Sequence, residues 1–143
     1  MTINGDRCII DVGPYWFSNF AQNTDVAFEG ITLTSTGTVI PDHGSFRIWA
    51  SISHFIRCAF ENFQGGSFAG AAIHIYADEE VSFEECIFRN NIATNRGGAV
   101  WLTGSNAIFK GCTFESNQAG AISKHAVSFY ENLWSSLGGR SYD

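Results

Sequence analysis

Residues 81–91 read VSFEECIFRNN, and residues 107–117 read AIFKGCTFESN. Both reduce to one skeleton, Φ-x-Phe-x-x-Cys-x-Phe-x-x-Asn, where Φ is apolar. Agreement at that many fixed offsets marks a repeat, and a repeat decides the architecture before any single element is considered. The skeleton recurs with fewer matches as VAFEGITL at 26–33, SHFIRCAF at 53–60 and VSFYENLW at 127–134. The five copies start at 26, 53, 81, 107 and 127, so the steps between them are 27, 28, 26 and 20 residues.

Each copy divides by its own alternation. In the copy at 81, Val81 and Phe83 share one face, Glu84 and Glu85 make a bend, and Cys86 and Phe88 share a second face. A turn at Asn90 and Asn91 leads to a third strand, GGAVWL at 97–102, with counterparts at 46–50, 70–75 and 120–123. Residues 2–25 read as an incomplete first coil, with strand-like pieces at 8–11 and 16–20 broken by Gly13 and Pro14. Strands this short form no stable sheet alone. Stacked on their copies, they enclose one continuous core. The pattern predicts an all-β parallel β-helix of about five coils, three short strands each, as a single domain over 1–143.

The apolar positions then fall into columns. Phe28, Phe55, Phe83, Phe109 and Phe129 form one, and Leu33, Phe60, Phe88, Phe114 and Trp134 the other. Burial of each such ring stabilises by about 1.5–3 kcal/mol. Cys58, Cys86 and Cys112 share a third column. Adjacent coils about 4.8 Å apart fall within the Cα range of a disulfide, but the side chains would run parallel. The three read as free, buried thiols, with a disulfide as the alternative. Asn91 and Asn117 hold one turn position, where asparagine tolerates left-handed geometry and stacked amides can form a short ladder. Gly97 and Gly98 supply the positive φ and close approach of a sharp re-entry.

Bulk properties exclude several classes. Hydrophobic residues make up 45% of the chain and charged residues 15%, below the usual quarter for a soluble domain. A net charge of −6 argues against nucleic acid, whose binders carry basic stripes. No apolar run reaches the roughly 18 residues of a membrane span, and no signal peptide is visible at the start. The cysteines and histidines show no metal-ligand spacing, and no cofactor motif is present.

Two motifs carry a family resemblance. Residues 88–91 (FRNN) and 114–117 (FESN) match Phe-x-x-Asn, and residues 97–100 (GGAV) match Gly-Gly-Ala followed by a branched apolar residue. Their alternation resembles the polymorphic outer-membrane protein repeats within the pectin-lyase-like right-handed parallel β-helix superfamily. Residues 8–11 (CIID) are similar to the Ile-Asp-Gly coil that often precedes such repeats, with Val12 in place of the glycine. The resemblance spans nearly the whole chain. It implies right-handed coiling, and surface adhesion at a cell exterior or in an organelle lumen. The repeat residues are scaffold, so it implies no active site.

The same superfamily includes polysaccharide lyases and hydrolases, which need clustered carboxylates. The aspartates at 6, 11, 25, 42, 78 and 143 do not align in the repeat. Glu79, Glu80, Glu84 and Glu85 read as a solvated acidic bend, with weak calcium binding as the sharper alternative. No nucleophile elbow occurs. The chain therefore reads as a non-catalytic structural or interaction module, a surface-adhesion or assembly subunit. The alternative is a carbohydrate-binding or polysaccharide-cleaving β-helix.

One candidate surface remains. If Ile48, Ile73 and Val100 point inward, then Trp49, His74 and Trp101 point outward on successive coils, fit to stack on sugar rings or anchor a partner. Reversed parity would bury them instead. The ends carry no polar cap: Ile3, Cys8, Ile9 and Ile10 open the core at one end, and the last coil stops after Trp134. Other protein chains, docked end-on or by the aromatic face, or continuation into further sequence, are expected to cover them.

Overall fold

The computed structural model describes residues 2–13, 17–19, 25–36, 46–48, 52–65, 72–75, 80–94, 97–103, 106–118 and 127–130. All their regular elements are strands. β1 (Thr2–Asp11), β2 (Phe17–Asn19), β3 (Asp25–Thr34) and β4 (Phe46–Ile48) come first. β5 (Ile52–Ile56), β6 (Ala59–Glu61), β7 (Gln64–Gly65) and β8 (Ile73–Ile75) make the next turn. β9 (Glu80–Glu84), β10 (Ile87–Arg89), β11 (Ile92–Ala93) and β12 (Val100–Thr103) repeat it. β13 (Asn106–Lys110), β14 (Thr113–Glu115) and β15 (Val127–Tyr130) follow.

Every ladder among these strands is parallel, and each joins a strand to its counterpart one coil away. One sheet runs β13-β9-β5-β3-β6-β10-β14, with β1 also on β3; a second runs β15-β12-β8-β4-β2; β11 and β7 form a short third. β3 joins the two halves of the first sheet because its ten residues pass unbroken through the bend at Gly30, pairing with β5 before it and β6 after it. Five levels result, β1-β3-β5-β9-β13 on one side and β2-β4-β8-β12-β15 on another.

Two corners repeat from coil to coil, each built on a left-handed residue. The first falls at Gly30, Arg57, Glu85 and Gly111, with φ of 66°, 50°, 53° and 63°. The second falls at Asn62, Asn90 and Ser116, with φ of 62°, 55° and 53°. In the coil at 81 the left-handed residue is thus Asn90, one residue before Asn91, whose side chain does different work. At the third re-entry Gly97 has φ of 55°. A Cβ on Gly98 would meet the Gln118 carbonyl oxygen at 2.5 Å, so coil-to-coil contact excludes a side chain there.

The rings stack in two columns. Phe28, Phe55, Phe83 and Phe109 follow one another at centroid distances of 5.0, 5.0 and 4.8 Å, within 9° of parallel. Phe60, Phe88 and Phe114 do the same at 4.9 and 4.7 Å, with Leu33 in register beneath Phe60. Edge-to-face contacts tie the columns together, Phe55 to Phe60 at 5.5 Å and Phe83 to Phe88 at 5.5 Å. Phe55, Phe60, Phe83 and Phe88 have no exposed surface.

The fifth member of the first column differs from the sequence reading. β15 pairs with β12, with Leu102 opposite Phe129 and Val100 opposite Val127, so Phe129 lies in the second sheet. At the other end of this stack Ile3 is in register with Phe28. Coil length explains the correction. Phe46, Ile73, Val100 and Val127 are in register at steps of 27 residues, whereas placing Val127 over Ala107 would demand a coil of 20. Residues 120–123, expected in that sheet, and Trp134 lie outside the described residues.

Truncation at the centre of the ring column should cost most. Phe83→Ala removes a fully buried ring that stacks on both sides, an expected loss of about 3–5 kcal/mol. Phe114→Ala, at a partly exposed site, should cost less. Urea unfolding of the two variants measures the difference.

Candidate functional site

The second sheet was the expected aromatic face, and its register changes the membership. Arg47 pairs with His74 and His74 with Trp101, so the coil neighbour of His74 is Arg47. Aligning Ile48 with Ile73 shifted the first coil by two residues; Ile48 pairs with Ile75. Trp49 lies outside the described residues. Ile73, Ile75 and Val100 belong to the central core, so alternation turns His74 and Trp101 the other way. His74 nevertheless has 0% exposure, and its ring stacks on Trp101 at 4.1 Å. His74 is thus covered on its outward side, while Trp101 is half-buried.

The second corner holds the most organised polar cluster. Asn91, with no exposed surface, accepts the Phe63 N–H on Oδ1 at 3.1 Å and donates through Nδ2 to the Phe60 carbonyl at 3.0 Å. One coil on, Asn117 repeats the arrangement: its Oδ1 accepts the Asn91 N–H at 3.1 Å, and its Nδ2 donates to the Phe88 carbonyl at 2.8 Å. Asn91 Nδ2 also reaches Asn117 Oδ1 at 2.9 Å. Each amide satisfies the corner backbone of the coil before it, where an unpaired buried group would be costly.

Phe63 occupies the same position and has no amide to offer Thr36 below. Asp11 takes over from the opposite side. Its carboxylate accepts the Thr36 N–H at 3.2 Å, the Thr36 hydroxyl at 2.5 Å and the Gly13 N–H at 2.8 Å. The Thr36 hydroxyl, then the Gly13 and Thr36 amides, hold its pKa below the ordinary carboxylate range.

On the outer face of the first sheet, charges are paired along the coil axis. Glu29 meets Arg57, Glu61 meets Arg89 at 2.6 Å, and Glu84 meets Lys110 at 2.8 Å. His54 lies between Asp25, at 3.6 Å, and Ser82, at 2.6 Å. The acidic bend therefore splits: Lys110 holds Glu84 ionised and lowers its pKa, while Glu80 and Glu85 are exposed. Among the described residues no three potential ligands converge on one point.

Between the ring columns stand the thiols. Cys58 and Cys86 are buried, Cys112 is partly exposed, and all are free. Each donates to the carbonyl of the column phenylalanine one coil earlier: Cys58 to Phe28 at 3.4 Å, Cys86 to Phe55 at 3.3 Å, Cys112 to Phe83 at 3.4 Å. Ile31 completes the column below, with Cys8 in register on it. Cys86 lies between two sulfurs that both draw on its proton, Cys112 more than Cys58, and together with burial they push its pKa up. The outer thiols shift the other way, first through Cys86 and then through backbone N–H groups, against the effect of burial. Cys58 falls to about 7, and Cys112 is lowered.

Stacked parallel coils with like residues in columns define a solenoid of the β-helix class. The chain belongs to the family described as the right-handed β-helix region, which it matches over residues 29–132. No curated protein and no solved structure matches it.

Two outcomes follow from the corner chemistry. Asn91→Ala leaves the buried Phe63 N–H without its acceptor and should cost about 1–3 kcal/mol. The Phe63 amide should lose most of its hydrogen-exchange protection, and Asn117→Ala should be milder. For Asp11, the folded-state pKa lies below the unfolded one, so its contribution is full above the unfolded value and lost as pH falls through the folded value. Asp11→Ala should lower Tm at pH 7. That difference should vanish in a thermal-melt series once the pH drops below the folded pKa.

Proposed function

We propose that the chain is a non-catalytic interaction module that engages another protein chain through the exposed edge of β1. The observation that carries this reading is the state of that strand. β1 pairs with β3 on one side, and its other edge has no partner among the described residues. Ile9 and Ile10 on it are 68% and 41% exposed. Ile10 is in register with Leu33, which is in register with Phe60 of the ring column. A row of free backbone donors and acceptors beside exposed isoleucines is a template for strand addition.

The outer-face charges support the same reading. Glu29, Glu61 and Glu84 are each committed to a basic partner one coil away. The carbohydrate alternative relied on an open aromatic row, and the burial of His74 weakens that platform. Adhesion, carried by the motif resemblance, is one role such a module can serve.

Light scattering after size exclusion tests the edge. The purified chain should form species larger than a monomer as its concentration rises, and Ile10→Asp should shift them toward monomer while circular dichroism stays unchanged. A chain monomeric at all concentrations, with β1 amides protected from hydrogen exchange, sinks the proposal. Turnover in a polysaccharide screen would end the non-catalytic reading.

A further inference from the structure

We propose that the cysteine column is a binding site for a soft, two-coordinate d10 cation of the monovalent copper class, held between Cys86 and Cys112. The argument starts from spacing. On either side of the thiols the rings repeat at 4.8 Å (Phe83 to Phe109) and 4.7 Å (Phe88 to Phe114). Cys86 and Cys112 sit at 3.3 and 3.4 Å from equivalent carbonyls, so their side chains point alike and the sulfurs repeat at the coil spacing.

That distance selects the chemistry. A thiolate lies about 2.3 Å from a d10 ion, so two opposed thiolates on one ion stand about 4.6 Å apart. The column needs to close by only a few tenths of an ångström. A disulfide requires about 2.05 Å between sulfurs, a movement more than ten times larger in a stack held by rings on both flanks. Zinc takes four ligands, and among the described residues no three converge. Soft thiolates favour monovalent copper over harder ions, and two-coordinate geometry asks for no third ligand.

Cys112 is partly exposed and Cys86 is fully buried, so an ion enters at Cys112 and is sealed by the core behind it. The step balances without electron transfer: two thiols release two protons to solvent, two sulfur–metal bonds form, and the complex carries one negative charge. The metal arrives already monovalent.

Anaerobic titration of the full chain with monovalent copper, buffered by a competing chelator, tests the site. One ion per chain is expected, with thiolate-to-copper absorption and two sulfur neighbours by X-ray absorption. Cys112→Ser, at a partly exposed position, should keep the fold by circular dichroism and weaken binding at least a hundredfold. Cys8→Ser should bind as the parent does. No binding by the parent chain, undiminished binding by Cys112→Ser, dependence on Cys8, or a three-sulfur shell would each overturn the proposal. So would loss of two hydrogens from the Cys86 and Cys112 peptides, the mass signature of a disulfide, under the same anaerobic conditions.

Discussion

In-register parallel pairing is the constraint from which the rest of this structure descends. It places each residue directly against its equivalent one coil away, at a distance set by the backbone hydrogen bond. Every side chain must therefore tolerate its own kind as a neighbour. Phenylalanine does so by stacking, as Phe55, Phe83 and Phe109 show. Asparagine does so because its amide carries donor and acceptor together, and Asn91 and Asn117 use both. Carboxylates cannot, and on the outer wall each of Glu29, Glu61 and Glu84 meets a cation from the adjoining coil. Such exposed pairs add little to stability. Their larger effect is to keep like charges out of register.

Where the repeat is strongest, sequence and structure agree closely. Phe-x-x-Cys-x-Phe specifies a strand, a corner and a second strand, and the rings of three coils stack where that spacing puts them. Legibility fails where the repeat loosens. The copy at 127 kept the local pattern Val-x-Phe, but local pattern alone does not identify which sheet a strand joins. The 27-residue interval from Val100 does. The same interval would have set Arg47, not Trp49, beside His74.

The candidate sites were less legible, for a different reason. Alternation says only which way a side chain points relative to the core. It says nothing about what lies over the outer face, and His74 is covered. The role of Asp11 was equally invisible, because it depends on a failure elsewhere: Phe63 holds the position where an amide would have served Thr36. The thiol column was visible as three cysteines in register, but its sulfur geometry needed the stacked rings beside it as a ruler.

The direction of the hydrogen bonds has a mechanical consequence. Parallel ladders between coils run along the solenoid axis, so tension along that axis loads one coil's bonds at a time, as in a zipper. Tension across the axis is borne by the covalent chain and by all the bonds of a coil in shear. A coil of 27 residues, as between Val100 and Val127, lengthens the chain by about 90 Å when it peels away. Pulled by its ends, this protein would yield in uniform steps at low force. Held by its walls, it would behave as a stiff rod.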